Sequence, residues 1–150
     1  MAAEHEVRRV ETVPQPTAVI ALTTTWEEFP SLWSSLLAEV WEAVRAGALA
    51  AGRNVMLYKA PRPSVEVGVE VFEPIAARGR VVASALPGGA TAMTIAPGAP
   101  STQGLANAHD RARRWVASNG LELRGDCWEI YSHWSEDPTA MHTEVYWALR

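Results

Sequence analysis

Hydrophobic positions along the chain recur with two periods, and the switches between them mark its elements. Residues 6–13 and 17–24 are β-branched and aliphatic runs of strand character, broken by Pro14-Gln-Pro16. At Phe29 the spacing changes. Phe29, Trp33, Leu36, Leu37, Val40 and Val44 follow at three- and four-residue steps, the period of one helix face. Thr25-Trp-Glu-Glu28 has the spacing of a capping box, and Pro30 suits a first helical turn. The regular helix is therefore expected to start near Pro30, run to about Ala50 and stop at Gly52. Two further strands are predicted at 54–59 and 64–72, joined by Ala60-Pro-Arg-Pro63. The second alternates cleanly, with Val65, Val67, Val69 and Val71 on one face and Glu66, Gly68, Glu70 and Phe72 on the other.

After Pro74 the pattern starts again. Residues 80–86 and 90–95 read as strands around Pro87-Gly-Gly89. Ser101 or Thr102 caps a second helix, which turns Leu105, Ala108, Ala112, Trp115 and Val116 inward and ends at Asn119-Gly120. Two last strands close the chain. The order ββαββ thus occurs twice, over residues 6–74 and 79–150, an internal duplication of about 75 residues per half. Met56-Leu-Tyr58 corresponds to Glu129-Ile-Tyr131 in this repeat. The expected fold class is α+β, a single domain with an antiparallel sheet, both helices on one face and a ligand cleft on the other.

The final hairpin carries the candidate chemistry. Cys127-Trp-Glu-Ile-Tyr131 and Thr143-Glu-Val-Tyr-Trp147 flank Ser135-Glu-Asp-Pro138, a turn cluster in a long loop. Alternation sets Trp128 and Ile130 against Cys127, Glu129, Tyr131 and His133. It likewise sets Val145 and Trp147 against His142, Glu144 and Tyr146. With the apolar sides turned to the helices, Glu129 and Glu144 share the other face with phenols. Glu129 faces Tyr146 in one register and Glu144 in another, and the sequence leaves both open. Trp128, Trp147, Trp33 and Trp115 are expected in the core, whereas Trp26, Trp41 and Trp134 sit at element edges.

Composition narrows the function classes. A hydrophobic fraction of 48% with 20% charged residues is that of a globular chain, long enough at 150 residues for a real core. The net charge is −4, and among 13 basic residues Lys59 is the only lysine. Apart from Arg111-Ala-Arg113-Arg114 the arginines are scattered, which argues against a nucleic-acid surface. No run approaches the length of a membrane helix, and no secretory signal is visible at the N-terminus. A single cysteine, Cys127, cannot form an internal disulfide and fits a cytoplasmic setting.

The residues resemble the GyrI-like small-molecule-binding domain, the effector-binding domain of bacterial transcription activators. The marks are Leu32-Trp33, Trp115-Val-Ala-Ser-Asn-Gly120, Trp128-Glu-Ile-Tyr131 and Thr143-Glu-Val-Tyr146, and they span essentially the whole chain. The resemblance implies a pocket in which carboxylates and aromatics bind lipophilic cations, with Glu129 at the family's pocket glutamate and Glu144 and Tyr146 at the matching last-strand motif. Since the 150 residues are taken up by this fold, a stand-alone member without a DNA-binding domain is expected. The ligand-binding set is Glu129, Glu144, Tyr131, Tyr146, Tyr58 and Phe72.

A branch of the family resembles hydrolases that open cyclopropane rings of natural products. In that reading Glu129 or Glu144 is catalytic and activates water. A third reading is a gyrase-inhibitor-like interaction module with an acidic exterior. No cofactor and no metal are implied, because His133, His142 and Cys127 lack ligand spacing and no nucleophile elbow surrounds Ser101 or Ser132. A homodimer is compatible with the pattern; a membrane or nucleic-acid partner is not.

Overall fold

The computed structural model describes residues 6–59 and 64–150; the link at 60–63 and the extreme N-terminus lie outside the described residues. The first half comprises β1 (Arg8–Thr12), β2 (Gln15–Thr23), α1 (Phe29–Ala46), β3 (Ala51–Lys59) and β4 (Ser64–Val71). The second comprises β5 (Val82–Leu86), β6 (Gly89–Pro97), α2 (Thr102–Ser118), β7 (Leu123–Tyr131) and β8 (His142–Leu149). The predicted ββαββ order therefore holds in both halves.

The strands form one antiparallel sheet in the order β1-β6-β8-β7-β3-β4-β2-β5. From the β7–β3 centre outward, equivalent strands of the two halves succeed each other symmetrically. Each half gives its first strand to the other, β1 pairing with β6 and β5 with β2.

This exchange sets the shape of the sheet. β1 and β2 are joined by only Val13 and Pro14, yet six strand spacings separate them in the order. A flat sheet would place them roughly 29 Å apart at about 4.8 Å per strand. Two intervening residues reach about 11 Å at most. Pro87 and Gly88 impose the same limit between β5 and β6. The sheet must curl until its edges approach, and there Thr12 Oγ1 donates to the Pro87 carbonyl at 2.9 Å. Curling gives the helix-free side its own buried cluster of Val55, Leu57, Leu86, Trp128, Ile130 and Ala148.

Both helices pack on the convex side, α1 against β2 and β4 and α2 against β6 and β8. The predicted valine stripe of β4 lies under α1 with Leu36, Val40 and Val44. Val65, Val67, Val69 and Val71 are each at most 1% exposed, and burying such a side chain contributes about 1.5–3 kcal/mol. Ser101 caps α2 by accepting from the Gly104 N–H at 3.0 Å, and Gly120 ends it with a left-handed φ of 66°.

α1 stops earlier than its pattern suggests. The Ala48 N–H reaches the Arg45 carbonyl at 3.1 Å and the Leu49 N–H reaches Val44 at 3.2 Å, which closes a Schellman turn. Ala48 takes the left-handed position at φ 53°, and Gly52 belongs to β3 instead. The sequence expectation followed the second glycine, while the chain turned one residue after the first.

The last hairpin adopts neither expected register. Glu129 stands opposite Val145, and Ile130 opposite Glu144. Cys127, Glu129 and Tyr131 therefore share the helix side with Val145 and Trp147, while Trp128 and Ile130 share the inner side with Glu144 and Tyr146. The long loop does not impose parity on the strands it joins. Their outer neighbours do: β3 sets Met56 against Glu129, and β6 sets Ala92 against Trp147. Glu129 and Glu144 consequently lie on opposite faces. The shared two-glutamate face is thereby corrected, as is the helix-facing placement of Trp128.

Gly68 marks a close approach of strands, since a Cβ there would sit 1.9 Å from the Ala18 carbonyl oxygen. Backbone cannot yield as a side-chain tip can. Gly68→Ala is expected to cost about 3 kcal/mol or more, beyond ordinary overpacking. Urea denaturation checks it, and a loss below 1 kcal/mol, within ordinary surface scatter, would count against the close approach.

Candidate functional site

The cleft lies on the helix side, not on the face opposite the helices where the sequence pattern placed it. The reason is the curl: the concave face fills with packed side chains, while the convex face leaves a gap between the helices. That gap is a cavity of about 590 Å³. β3 and β7 supply its floor through Met56, Tyr58, Glu129 and Tyr131. α1 gives one wall through Phe29, Trp33 and Leu37, and the segment leading into α2 gives another through Pro100, Ser101 and Leu105. Trp134 and Met141 stand at the rim.

Glu129 is the centre of the floor and only 3% exposed. Its Oε1 accepts from the Tyr58 phenol at 3.0 Å and also from the Tyr131 phenol. Tyr58 and Tyr131 are equivalent positions of the two halves, so the duplication itself delivers two donors to one oxygen. Its Oε2 lies 2.7 Å from His109 Nε2.

His109 in turn has Nδ1 at 2.9 Å from Trp147 Nε1. An indole N–H only donates, so Nδ1 accepts and the ring proton sits on Nε2, directed at the carboxylate. Three neutral donors thus converge on Glu129. Among the described residues the arginine and lysine ion pairs run elsewhere, to Glu70, Glu144, Glu66, Glu39, Asp110 and Glu122.

The phenols are strongly perturbed. Burial pushes Tyr58 and Tyr131 far above the usual tyrosine range, and the adjacent Glu129 charge pushes them further. Both remain protonated donors throughout the neutral range. Burial, then Glu129, likewise pushes the Cys127 thiol up to about 12. Tyr58 is walled by Trp26 at 5.6 Å and, edge-on, by Phe29 at 6.2 Å and His109 at 6.4 Å between ring centroids.

Of the six predicted ligand-binding residues, Glu129, Tyr58 and Tyr131 come together here. Glu144, Tyr146 and Phe72 do not. Glu144 lies across the sheet, where Oε2 accepts from Arg53 at 2.9 Å and Oε1 from Tyr146 at 2.7 Å. Arg53 also grips Glu70 with two nitrogens, at 3.0 and 3.2 Å. Tyr146 stacks on Trp128 with centroids 5.3 Å apart. Phe72 is exposed just past β4.

The tryptophans also redistribute. Trp33, expected in the core, is 40% exposed and lines the cavity; Trp134 stands at the mouth; Trp41 donates to the lining residue Asn54 at 2.8 Å. His109 was missed by the sequence reading although a signal existed. It falls on the inward stripe of α2, four residues after Leu105 and beside Ala108, and an imidazole on an apolar stripe needs partners.

No family model and no curated protein matches this sequence. Solved structures match it in fold. The EcmrR C-terminal domain aligns with a TM-score of 0.82 at 18% identity, over 97% of this chain and 98% of that one. In the EcmrR–DNA complex the likeness covers 58% of the EcmrR chain. SAV2435 bound to tetraphenylphosphonium aligns at 0.64 and 10% identity, over 97% and 94% of the two chains. A hydrolase from Listeria innocua aligns at 0.61 and 10%, over 98% and 93%. At such identities the likeness is one of fold.

All three tyrosines of the chain hold their protons more tightly when folded, for burial and Glu144 also raise Tyr146. Their contribution to stability is complete below about pH 10 and declines above it, as the unfolded state alone ionises. Cys127 begins the same loss near pH 9, the ordinary value from which its pKa rises to about 12. In an alkaline titration, phenolate absorbance is expected only together with loss of the circular dichroism signal. A phenolate growing at about pH 10 in an intact fold would contradict the burial of these rings.

Proposed function

We propose, from the GyrI-like effector-binding fold that this chain has, that the cleft between the helices binds lipophilic cations. One observation carries the reading: Glu129 is buried at the base of an aromatic and aliphatic cavity and, among the described residues, is held by neutral donors alone. Such a carboxylate keeps its net charge while losing most of its water. A cation entering the cleft regains the Coulomb energy that burial left unused, about 2–3 kcal/mol at roughly 6 Å and an effective dielectric near 20. Trp33, Trp134 and Phe29 add ring faces for a cation and apolar area. Met56, Met141, Leu37 and Leu105 add adaptable thioether and hydrocarbon surface, and Asn54, Ser101, Thr102 and Ser132 add scattered polar groups, a lining that suits several ligand shapes instead of one. Tetraphenylphosphonium, bound by SAV2435 on the same fold, is a suitable probe.

Hydrolysis is the less supported reading. For Glu129 to activate water it must accept a proton from it, while its two oxygens already accept hydrogen bonds from two phenols and an imidazole, which lower its basicity. The Listeria hydrolase likeness is one of fold and does not change that chemistry.

Titration with tetraphenylphosphonium is expected to quench the tryptophans of the cleft. Glu129→Gln should weaken that binding roughly 30-fold or more, the equivalent of about 2 kcal/mol, and leave triphenylphosphine oxide, a neutral triaryl probe, nearly unaffected. Equal losses for both probes would remove the charge-complement role. Glu144→Gln, across the sheet, should leave binding intact and lower stability by about 1–2 kcal/mol through Arg53; calorimetry of unfolding and of binding separates the two effects.

A further inference from the structure

Glu129 offers its charge to a ligand only while its basic neighbour stays neutral. That neighbour is His109, whose Nε2 lies 2.7 Å from Glu129 Oε2. A second ring proton would turn the contact into an imidazolium–carboxylate pair and cancel the charge inside the cavity. Histidine as a residue type gains that proton near pH 6.5, within reach of ordinary cellular conditions.

We propose that Trp147 is a positioning residue that withholds this proton, and so sets the cleft's preference for cations; the proposal rests on the cation-binding reading above. The Trp147 indole N–H occupies the Nδ1 lone pair at 2.9 Å, the site where the second proton would land. Protonation would set two N–H groups against each other and strand the indole donor. The indole is itself held: the Arg113 guanidinium lies over its ring, 5.2 Å from the centroid, and pairs with Asp110.

The groups that touch His109 fit this role. β7 presents Glu129 and the buried Cys127 thiol, β3 presents the Tyr58 ring edge-on at 6.4 Å, and β8 presents Trp147. The cavity wall that α1 contributes is apolar. On α2 itself, Arg113 lies over the indole ring and adds a fixed positive charge, which opposes another cation nearby. The carboxylate of Glu129 favours the second proton, and the indole donor with Arg113 over its ring opposes it.

Tetraphenylphosphonium has a permanent charge, so any pH dependence of its binding comes from the protein. Its dissociation constant should change less than about twofold between pH 8 and pH 6 for the intact chain, and rise about fourfold for Trp147→Phe, as an ordinary imidazole protonating near pH 6.5 requires. Adding His109→Gln to that variant should abolish the pH dependence, because glutamine still donates to Glu129 and cannot take up charge. His109→Gln alone guards against a variant that fails to fold, and should bind equally at both pH values.

Ring-nitrogen NMR, with His109 assigned by its disappearance in His109→Gln, should show the Nε2–H form at both pH values. In Trp147→Phe it should show a doubly protonated ring at pH 6. A doubly protonated His109 in the intact chain at pH 6, or identical pH profiles with and without the indole, would overturn the proposal. If the intact chain binds no tetraphenylphosphonium at any pH, the cation reading fails, and the ring-nitrogen spectrum decides the proton placement by itself.

Discussion

Two links of two residues each govern this structure. Val13-Pro14 and Pro87-Gly88 tie together strands that the sheet order holds far apart. Backbone reach, a matter of bond lengths and not of side-chain chemistry, forces the sheet to bend onto itself. The bend decides the remaining layout. It makes the helix-free face an interior, packed by Trp128, Ile130, Val55 and Leu86, and leaves the helix face too broad for two helices to cover. The cavity is what the helices fail to fill.

Within that cavity the energetics turn on a single acid. A carboxylate at 3% exposure needs its hydrogen bonds met, and here the fold meets them from three elements: two phenols from β3 and β7, and an imidazole from α2. Neutral donors stabilise the anion without neutralising it. The other buried and half-buried acids of the sheet are treated differently. Glu70 and Glu144 share Arg53, and Glu66 is paired with Lys59 at 2.6 Å and accepts from Ser84. Among the described residues, the sheet thus sorts its buried and half-buried glutamates into those that complete an arginine or lysine ion pair and one, Glu129, that does not.

Much of the fold was legible in the sequence because its signals are local. The valine alternation of 64–72, the three-four stripes of both helices, the Ser101 cap and the repeat of ββαββ each involve residues within a few turns of one another. The site was legible in part. Glu129, Tyr58 and Tyr131 could be picked because they stand in equivalent strands of the repeat. Glu144 and Tyr146 could not be excluded, since alternation tells that two faces differ and not which one the helices cover. A register displaced by one residue reverses a strand's faces, and in this hairpin the register is set by β3 and β6, distant in sequence. His109 shows the converse: its position on the α2 stripe was readable, but its partners come from β7 and β8.

The pairing at the sheet's centre carries one more consequence. Met56 stands directly opposite Glu129 across the β3–β7 junction, and the repeat makes these two positions equivalent, so the axis relating the halves passes between them. Two identical subunits meeting about such an axis can bring two acids together there or none; an odd number is forbidden by symmetry. Fusing the halves into one polypeptide lifts that prohibition. Methionine on one side and glutamate on the other yields a monopole at the midpoint, free of the mutual repulsion that twin carboxylates would suffer.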